Sequence, residues 1–185
     1  MKIGVYVGSF NPLHIGHQQV INTLIDKKIV DKVLVIPTSS YWDKKVDIST
    51  EHRINMLKLI ENESVLVDGT LSEIEYTYQI LNILKEKYND LYLVIGADNI
   101  TSFHKWNHVD EILKNHVIVF NRDNIDINKY LTKFDKDRFI IVNMKPVDVS
   151  STFIRERIKE NDYESLKGIV DTRILDYIKN NNLYS

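Results

Sequence analysis

The 185-residue sequence contains no cysteine. That absence excludes a disulfide framework, a thiolate metal site and a cysteine nucleophile. Long apolar runs are also missing, because no stretch approaches the roughly 20 residues that cross a bilayer. We expect no signal peptide, since residues 1–7 resemble a strand rather than a basic segment leading into an apolar run. These absences predict a cytoplasmic protein without a membrane partner.

Neither sign of charge dominates the sequence. Lys and Arg number 24 against 26 Asp and Glu, which gives a formal net charge of −2. Such a balance exerts no global attraction on nucleic acid, so we expect no nucleic-acid partner and only local recognition of phosphate. With three prolines and six glycines, no Pro/Gly/Ser-rich linker divides the chain. We predict a single domain over residues 1–185, with an α/β core over about 1–148 and a helical part over about 149–185.

Apolar residues follow a strand period and a helix period in alternation. Residues 33–36 read Val-Leu-Val-Ile, which is apolar on both faces, as in parallel strands that helices cover on both sides. Strands are predicted over residues 2–7, 33–37, 64–67, 91–95, 117–120 and 139–142. The pattern turns helical from residue 151. The predicted fold class is α/β, a doubly wound Rossmann-like parallel sheet with a C-terminal helical segment.

Two of the predicted helices carry detailed expectations. The helix after the second strand is expected to begin at Thr50 as its N-cap, with Ile54, Leu57 and Ile60 on one face. The next helix is predicted over about residues 77–88.

Open parallel sheets bind ligands beyond the carboxyl ends of their strands. The segments after the first, fourth and sixth strands are residues 8–17, 96–99 and 149–155. Each contains side chains suited to a nucleotide, so we expect the site to form there.

The first of these segments places two histidines at the start of a helix. Gly8 lets a ligand approach the backbone, Pro12 delays the helix, and Gly16 lies where the helix begins. His14 and His17 are three residues apart and share a face if both are helical, next to free N–H groups that favour anions. The alternatives are surface or capping histidines, or a zinc site that lacks a third ligand at the usual spacing. Phosphate binding is favoured.

The third segment has a similar logic. Ser151 and Thr152 offer hydroxyls where a helix starts, and Arg155 follows one turn later with a planar fork for phosphate oxygens. An ordinary Ser/Thr cap beside an exposed arginine is the alternative.

These two segments resemble the signatures of the nucleotidyltransferase superfamily. Residues 8–17 resemble its (H/T)xGH motif, and residues 149–155, VSSTFIR, resemble ISSTxIR. Further segments are similar to the bacterial nicotinate-nucleotide adenylyltransferase family and extend the resemblance over nearly the whole chain. They are EHRINML at 51–57, YTYQIL at 76–81, IGADN at 95–99 with Trp106 and Leu113, residues 174–178, and Leu183-Tyr184.

The resemblance implies a reaction in NAD biosynthesis. Nicotinate mononucleotide and ATP would give nicotinate adenine dinucleotide and pyrophosphate, with Mg²⁺ carried by the ATP phosphates rather than by a protein cage. The catalytic residues implied are His14, His17 and Arg155. The ATP-binding residues implied are Gly8, Ser9, Phe10, His14, His17, Gly96, Asp98, Ser151, Thr152 and Arg155. The residues implied for the pyridine nucleotide are Lys44, Lys45, Tyr76, Thr77 and Trp106.

Several residues depart from the family pattern. Residues 38–46 read TSSYWDKKV in place of a PxHK-like stretch, so Lys44 or Lys45 replaces the usual lysine, and Trp42 either packs or stacks on a ligand. Asn11 replaces the commoner aspartate, and Glu75 stands where the family has serine.

Three questions stay open at this point. Preference for the nicotinamide mononucleotide is the nearest alternative function, because backbone groups can read the pyridine substituent. A non-catalytic ATP-binding sensor is the alternative of another class. The oligomeric state is undetermined, and a homo-oligomer remains an option.

Overall fold

Within the part of the chain that the structure describes, six strands form one parallel sheet in the order β3-β2-β1-β4-β5-β6. The structure is a computed structural model that describes residues 1–39 and 48–185. The strands are β1 (Lys2–Gly8), β2 (Lys32–Pro37), β3 (Val65–Val67), β4 (Asp90–Gly96), β5 (His116–Asn121) and β6 (Phe139–Asn143). Strand order reverses between β1 and β4, and a doubly wound sheet opens a crevice at such a point.

Helices cover both faces of the sheet. They are α1 (Ile15–Asp26), α2 (Thr50–Lys58), α3 (Thr77–Leu84), α4 (Ala97–Ile100), α5 (Val109–Ile112), α6 (Ser151–Lys159) and α7 (Thr172–Asn180). Short 3-10 turns occur at Gly69–Leu71, Phe103–Lys105, Ile127–Tyr130, Lys136–Arg138 and Glu164–Leu166. The apolar residues of α1, α2, α6 and α7 form one cluster with the sheet, and those of α3, α4 and α5 form another.

The strands supply both clusters by alternation. Val33 and Val35 belong to the cluster of α1, whereas Leu34 and Ile36 belong to the cluster of α3. All four are at most 5% exposed, because helices exclude water from both faces. The predicted α/β doubly wound class is confirmed.

Helix α2 begins one residue earlier than predicted. The N-cap is Ser49, whose Oγ accepts a hydrogen bond from the His52 N–H at 3.3 Å, so Thr50 is the first helical residue and the prediction of Thr50 as cap was wrong. The predicted apolar face is also only partly right, because Ile60 lies beyond the end of the helix. The most buried residue of α2 near its start is a charged one, Arg53, which is 1% exposed.

Helix α3 is shorter than predicted. It ends at Leu84 rather than near Tyr88. The Leu84 carbonyl accepts from the N–H groups of both Lys87 and Tyr88, at 3.0 and 2.8 Å. The chain thereby turns and enters β4, so the requirement to rejoin the sheet ends the helix before its apolar pattern does.

The helical segment after β6 returns to the start of the chain. Ile154 and Ile158 of α6 and Ile174 and Ile178 of α7 are at most 2% exposed and pack in the same cluster as α1. This packing holds the start of α6 beside the loop between β1 and α1. Among the described residues, no helix is long and apolar enough to cross a membrane.

Candidate active site

Two adjoining cavities open at the carboxyl ends of β1 and β4. The one at the strand ends, the strand cavity, has a volume of about 410 Å³, and its neighbour, the loop cavity, about 460 Å³. The strand cavity is lined by Tyr6, Val7, Gly8, Ser9, Phe10, His17, Thr77, Leu93, Val94, Ile95, Gly96, Asp98, Asn99, Trp106, Phe120 and Arg122. The loop cavity is lined by Glu75, Tyr76, Thr77, Asn99, Lys105, Trp106, Asn107 and Ile112.

Thr77, Asn99 and Trp106 line both cavities. Two ligands bound side by side would therefore meet at these three residues. Their positions follow from the sheet, because Asn99 lies just after β4 and Thr77 opens α3, which packs against the same face.

The two histidines at the start of α1, His14 and His17, pack directly against each other. Their ring centroids are 3.9 Å apart, although only His17 is helical, because His14 is the N-cap of α1 with extended backbone angles. His14 Nδ1 accepts from the Gly16 N–H at 3.0 Å, and His17 Nδ1 accepts from the His14 N–H at 3.1 Å. Since each Nδ1 is an acceptor, each ring carries its proton on Nε2 and has an Nε2–H to donate.

Both rings are held in the neutral form. Burial lowers the pKa of His14 to about 4, with a further contribution from the charge of Arg122. Burial also lowers the pKa of His17 to about 3, with smaller contributions from His14 and Arg122. Near neutral pH the pair therefore offers N–H donors without adding positive charge.

The start of α1 differs from the expected cluster of free N–H groups. The Ile15 N–H donates to the Ile169 carbonyl at 2.9 Å, and the Gly16 N–H is the one that donates to His14. His14 is thus a capping residue, as the alternative interpretation held. Two of the early helical donors are used within the protein, so an anion placed here would meet side-chain donors more than main-chain ones.

Arg122 supplies the positive charge of the strand cavity. Its guanidinium lies 5.2 Å from the centre of the Phe120 ring, and its charge lowers the pKa of both histidines. A Cβ at position 16 would come within 2.8 Å of Arg122 Nη1 and 2.8 Å of His14 Cε1, so the glycine makes room for both side chains. An arginine fork beside two neutral imidazole donors suits an oligophosphate.

The residues of the second motif, 149–155, hold the loop between β1 and α1, which we call the first loop. They do not line either cavity. Ser151 Oγ donates to the Pro12 carbonyl at 3.0 Å, and Arg155 Nη1 donates to the Asn11 carbonyl at 2.8 Å. Arg155 Nη2 also donates to Thr152 Oγ1 at 3.3 Å. The N-cap of α6 is Ser150, whose Oγ accepts from the Phe153 N–H at 3.1 Å. The two motifs are thus joined by hydrogen bonds across almost the whole sequence.

A buried arginine ties the same loop to the end of β2. Arg53 Nη1 donates to the carbonyls of Ser9 and Thr38, at 2.8 and 2.6 Å, and Nη2 donates to Thr50 Oγ1 at 3.1 Å. Burial lowers the pKa of Arg53, but arginine keeps its charge at neutral pH. Arg53 therefore anchors Ser9, which lines the strand cavity, to the end of β2.

Asp98 follows β4 and lines the strand cavity together with His17. A Cβ on Gly96 would lie 2.5 Å from Asp98 Oδ1 and 3.2 Å from the Phe120 ring. Glycine at this position therefore lets the carboxylate fold back over the strand end. The exposed Asp98 is available to ribose hydroxyls or to a metal-bound phosphate.

The loop cavity carries both signs of charge beside an aromatic side chain. Glu75 and Lys105 line it with the indole of Trp106. A hydrogen bond from Tyr76 to Glu75, together with the charge of Glu75, raises the pKa of Tyr76, which stays a neutral phenol. Lys44, Lys45 and Trp42, predicted on the loop after β2, lie outside the described residues.

Comparison with known proteins gives a consistent family. Residues 5–157 match the cytidylyltransferase-like family. A protein named probable nicotinate-nucleotide adenylyltransferase from Borrelia hermsii is 36% identical and is covered to 98%, with 100% of this chain aligned. One of the same name from Flavobacterium psychrophilum is 31% identical, with 100% and 99% covered. The nicotinic acid mononucleotide adenylyltransferase of Plasmodium falciparum, solved with NaAD, has a TM-score of 0.81 at 26% identity, with 99% of this chain and 97% of that chain covered.

The chain belongs to the nicotinate-nucleotide adenylyltransferase family. The resemblance to this family that the sequence motifs indicated is thereby confirmed. The protein is a nucleotidyltransferase. The structure brings Gly8, Ser9, Phe10, His17, Gly96 and Asp98 of the predicted residues into the strand cavity, and Tyr76, Thr77 and Trp106 into the loop cavity. His14, Ser151, Thr152 and Arg155 lie outside both linings. His14 packs against His17, Ser151 and Arg155 donate to carbonyls of the first loop, and Thr152 accepts from Arg155.

Sequence reasoning missed two arginines of this adenylyltransferase. Arg122 follows the predicted strand 117–120 by two residues. Ligands bind beyond the carboxyl ends of parallel strands, so Arg122 would have been predicted if the segment after the fifth strand had been considered. Arg53 gave no such signal, because a charged residue on an amphipathic helix is normally exposed.

Proposed function

We propose that this enzyme transfers the AMP part of ATP to nicotinate mononucleotide, giving nicotinate adenine dinucleotide and pyrophosphate in NAD biosynthesis. The observation that carries the proposal is the pair of cavities that meet at Thr77, Asn99 and Trp106. One is lined by phosphate-directed donors and the other by an indole and neighbouring polar groups. A dinucleotide product needs such a pair.

ATP is assigned to the strand cavity. Its phosphates would receive hydrogen bonds from His17 Nε2–H and the guanidinium of Arg122, both of which line that cavity. His14 supports His17 by stacking on it. Ser151 and Arg155 hold the loop that contains Ser9 and Phe10, and Arg155 retains donors that could turn to the β and γ phosphates.

A divalent cation, which we take to be Mg²⁺, is assigned to the ATP phosphates. The residues fit this assignment, because Asp98 is the only carboxylate that lines the strand cavity within the described part of the chain, and Mg²⁺ commonly binds one carboxylate and several phosphate oxygens. When bound, the cation neutralises charge on the oxygens of the triphosphate. The protein contributes the remaining donors.

The reaction requires no protein nucleophile. A 5′-phosphate oxygen of the mononucleotide forms a bond to the α-phosphorus of ATP while the bond from that phosphorus to the bridging oxygen breaks, and pyrophosphate leaves with the electron pair. The attacking phosphate is already an anion at neutral pH, so no general base is needed. The enzyme aligns the two phosphates and places His17 and Arg122 where negative charge grows on the leaving group.

The pyridine nucleotide is assigned to the loop cavity. Trp106 offers an aromatic face for the ring, and Tyr76 and Thr77 lie beside it. Lys105 lines the same cavity and favours a carboxylate over a neutral carboxamide, since opposite charges attract. Selection of the acid form rests on this lysine and on the family to which the chain belongs.

The test is a direct assay with both mononucleotides. Purified protein is incubated with ATP, MgCl₂ and either nicotinate or nicotinamide mononucleotide, and both the dinucleotide and pyrophosphate are quantified. We expect both products from the nicotinate form, with a kcat/KM at least about tenfold above that for the amide. The Tyr76→Ala variant is expected to raise the KM for the mononucleotide more than the KM for ATP, because Tyr76 lines the loop cavity and not the strand cavity.

Three results would contradict the proposal. A higher kcat/KM with nicotinamide mononucleotide would reassign the substrate to the amide. ATP binding without pyrophosphate release would make the protein a nucleotide sensor. Equal effects of Tyr76→Ala on both KM values would remove the loop cavity as the separate pyridine site.

A further inference from the structure

The loop of residues 9–12 connects β1 to α1 and forms one wall of the strand cavity. Ser9 and Phe10 line that cavity, so the position of this loop decides where their backbone groups meet a phosphate. Main-chain carbonyls of the loop accept three hydrogen bonds from distant residues: Ser9 from Arg53 at 2.8 Å, Asn11 from Arg155 at 2.8 Å, and Pro12 from Ser151 at 3.0 Å.

A fourth contact reaches the loop from the segment after α7. Tyr184 donates its hydroxyl to Asn11 Oδ1, across 173 residues of sequence. Both residues are buried, with exposed fractions of 5% for Tyr184 and 3% for Asn11. Burial raises the pKa of the Tyr184 phenol, an effect that the nearby Arg155 and Arg53 partly oppose, so the group is a neutral donor at neutral pH.

We propose that Tyr184 and Asn11 are a positioning pair that sets the loop of residues 9–12 for ATP. The inference rests on the proposed assignment of ATP to the strand cavity. Neither side chain lines that cavity, so the pair acts through the loop and not by contact with the nucleotide.

The main-chain hydrogen bonds leave the peptide planes of the loop free to rotate, and the Tyr184–Asn11 bond removes that rotation at Asn11. Arg53 and Arg155 hold carbonyls on either side of Phe10, yet a peptide plane can rotate about a single anchored oxygen. The side-chain bond of Asn11 fixes the orientation of that residue as well as its position. Without it, Oδ1 is a buried acceptor that lacks a partner, an unfavourable state that the loop can relieve only by shifting.

The placement of Tyr184 is itself fixed by packing. Leu183 and Tyr184 belong to the same apolar cluster as α1, α6 and α7, and Tyr184 adopts φ of 63°. This left-handed backbone is uncommon for an aromatic residue. The ring is buried, and its hydroxyl reaches Asn11.

The test separates positioning from general stability. Tyr184→Phe removes the hydroxyl and keeps the ring, and Asn11→Leu removes the acceptor at similar volume. For each we expect a rise of about five- to tenfold in the KM for ATP, the loss of about one hydrogen bond, with the KM for nicotinate mononucleotide changed by less than about twofold. The double variant should be no worse than the poorer single variant, because both remove the same bond.

Tyr177→Phe is the matched control. The Tyr177 hydroxyl contacts His52 Nδ1 at 2.8 Å and Asn55 Nδ2 at 3.2 Å and so joins α7 to α2 without a hydrogen bond to residues 9–12. We expect this variant to lower Tm while leaving both KM values unchanged. A Tyr184→Phe protein that behaves in the same way, losing stability with an unaltered KM for ATP, would overturn the proposal and make Tyr184 a packing residue only.

Binding of a non-hydrolysable ATP analogue with MgCl₂, measured by calorimetry, keeps the two proposals apart. If the wild-type protein forms no dinucleotide, the proposed reaction fails, but a weaker Kd for the analogue in Tyr184→Phe and Asn11→Leu still supports the positioning pair. An unchanged Kd in both variants contradicts the pair whether or not the reaction occurs.

Discussion

The strand cavity and the loop cavity are built from different kinds of structure. The first lies on buried strand ends and on a loop held by Arg53, Arg155, Ser151 and Tyr184. The second is lined by the residues before α3 and by the short turns after β4, where Glu75, Lys105 and Asn107 are exposed. Its described side chains make few hydrogen bonds, the one between Tyr76 and Glu75 among them.

This difference suits the two cavities to different tasks: the strand cavity to positioning the reacting phosphates, and the loop cavity to selecting the pyridine substrate. Transfer between phosphates depends on alignment within a fraction of an ångström, which a well-anchored loop on a rigid sheet provides. Recognition of a small ring substituent depends on one or two nearby groups, which exposed residues on short turns can provide. Substitutions in the strand cavity should therefore change turnover strongly, and substitutions in the loop cavity should change substrate preference mildly.

The largest effect is expected for His17→Ala. Removing the Nε2–H donor should lower kcat by about 100- to 1,000-fold, as for other preorganised donors that act on a developing charge. Circular dichroism should show an intact fold. The control is His116→Ala, which removes a histidine that stacks on Tyr92 at the opposite end of the sheet. If His17→Ala turns over at the wild-type rate, His17 has no part in the mechanism.

Arg122→Met should have the next largest effect. The variant keeps the length of the side chain over Phe120 but loses the charge, and kcat/KM is expected to fall by about 10- to 100-fold. Arg138→Met, at the amino end of β6, is the control for a general loss of charge.

The same variant offers a readout that does not depend on turnover. Because the charge of Arg122 lowers the pKa of His14 and His17, both pKa values should rise in Arg122→Met when measured by NMR. Unchanged histidine pKa values would place Arg122 farther from the pair than the structure has it.

The free energy of unfolding should decrease as the pH is lowered, because of the histidine pair. In the unfolded chain each histidine titrates near 6.5, whereas in the folded protein His14 and His17 titrate only at about 4 and about 3. Below about pH 6.5 the unfolded state binds protons that the folded state does not, so the free energy of unfolding decreases as pH falls towards about 4.

The contribution of His17 can be isolated by substitution. Each lowered histidine contributes at most about 1.4 kcal/mol per pH unit within that interval. Denaturant unfolding at about pH 7 and about pH 5 should therefore show a smaller loss for His17→Ala than for the wild type. Parallel losses in the two proteins would show that the His17 ring is not held neutral by the fold.

The smallest effect is expected at the loop cavity. Lys105→Met should lower kcat/KM for nicotinate mononucleotide by about three- to fivefold, as for a partly exposed charge pair worth at most about 1 kcal/mol, with no loss for the amide. Lys114→Met, whose lysine pairs with Glu111 on the surface, is the control. An equal loss for both mononucleotides would remove Lys105 from discrimination.

Much of the fold was accessible from the sequence. Predicted strand 2–7 is one residue shorter than Lys2–Gly8, and predicted strand 117–120 is one residue shorter at each end than His116–Asn121. The agreement is close because a strand buried on both faces must be continuously apolar. Helix ends were less accessible. Leu84 ends α3 where the chain must turn into β4, and that need arises from the sheet rather than from the local pattern.

The candidate site was accessible as motifs but not as an arrangement. His17, Asp98 and Trp106 were predicted and do line the cavities. The roles of Ser151 and Arg155 as phosphate ligands stay predictions, since in this structure both donate to loop carbonyls. Sequence spacing identifies the side chains that can donate, whereas the fold determines which acceptor lies within reach.

By itself, the sequence determined the alternation of strands and helices, the two motifs and the family to which they belong. These features depend on residues close together in the chain, whose period and spacing have direct physical meaning. Only the tertiary structure decided that Arg122 faces the histidines, that Arg53 is buried beneath the loop, and that Tyr184 reaches Asn11. Such contacts join residues far apart in sequence, and the packing of α1, α2, α6 and α7 on one face of the sheet brings them together.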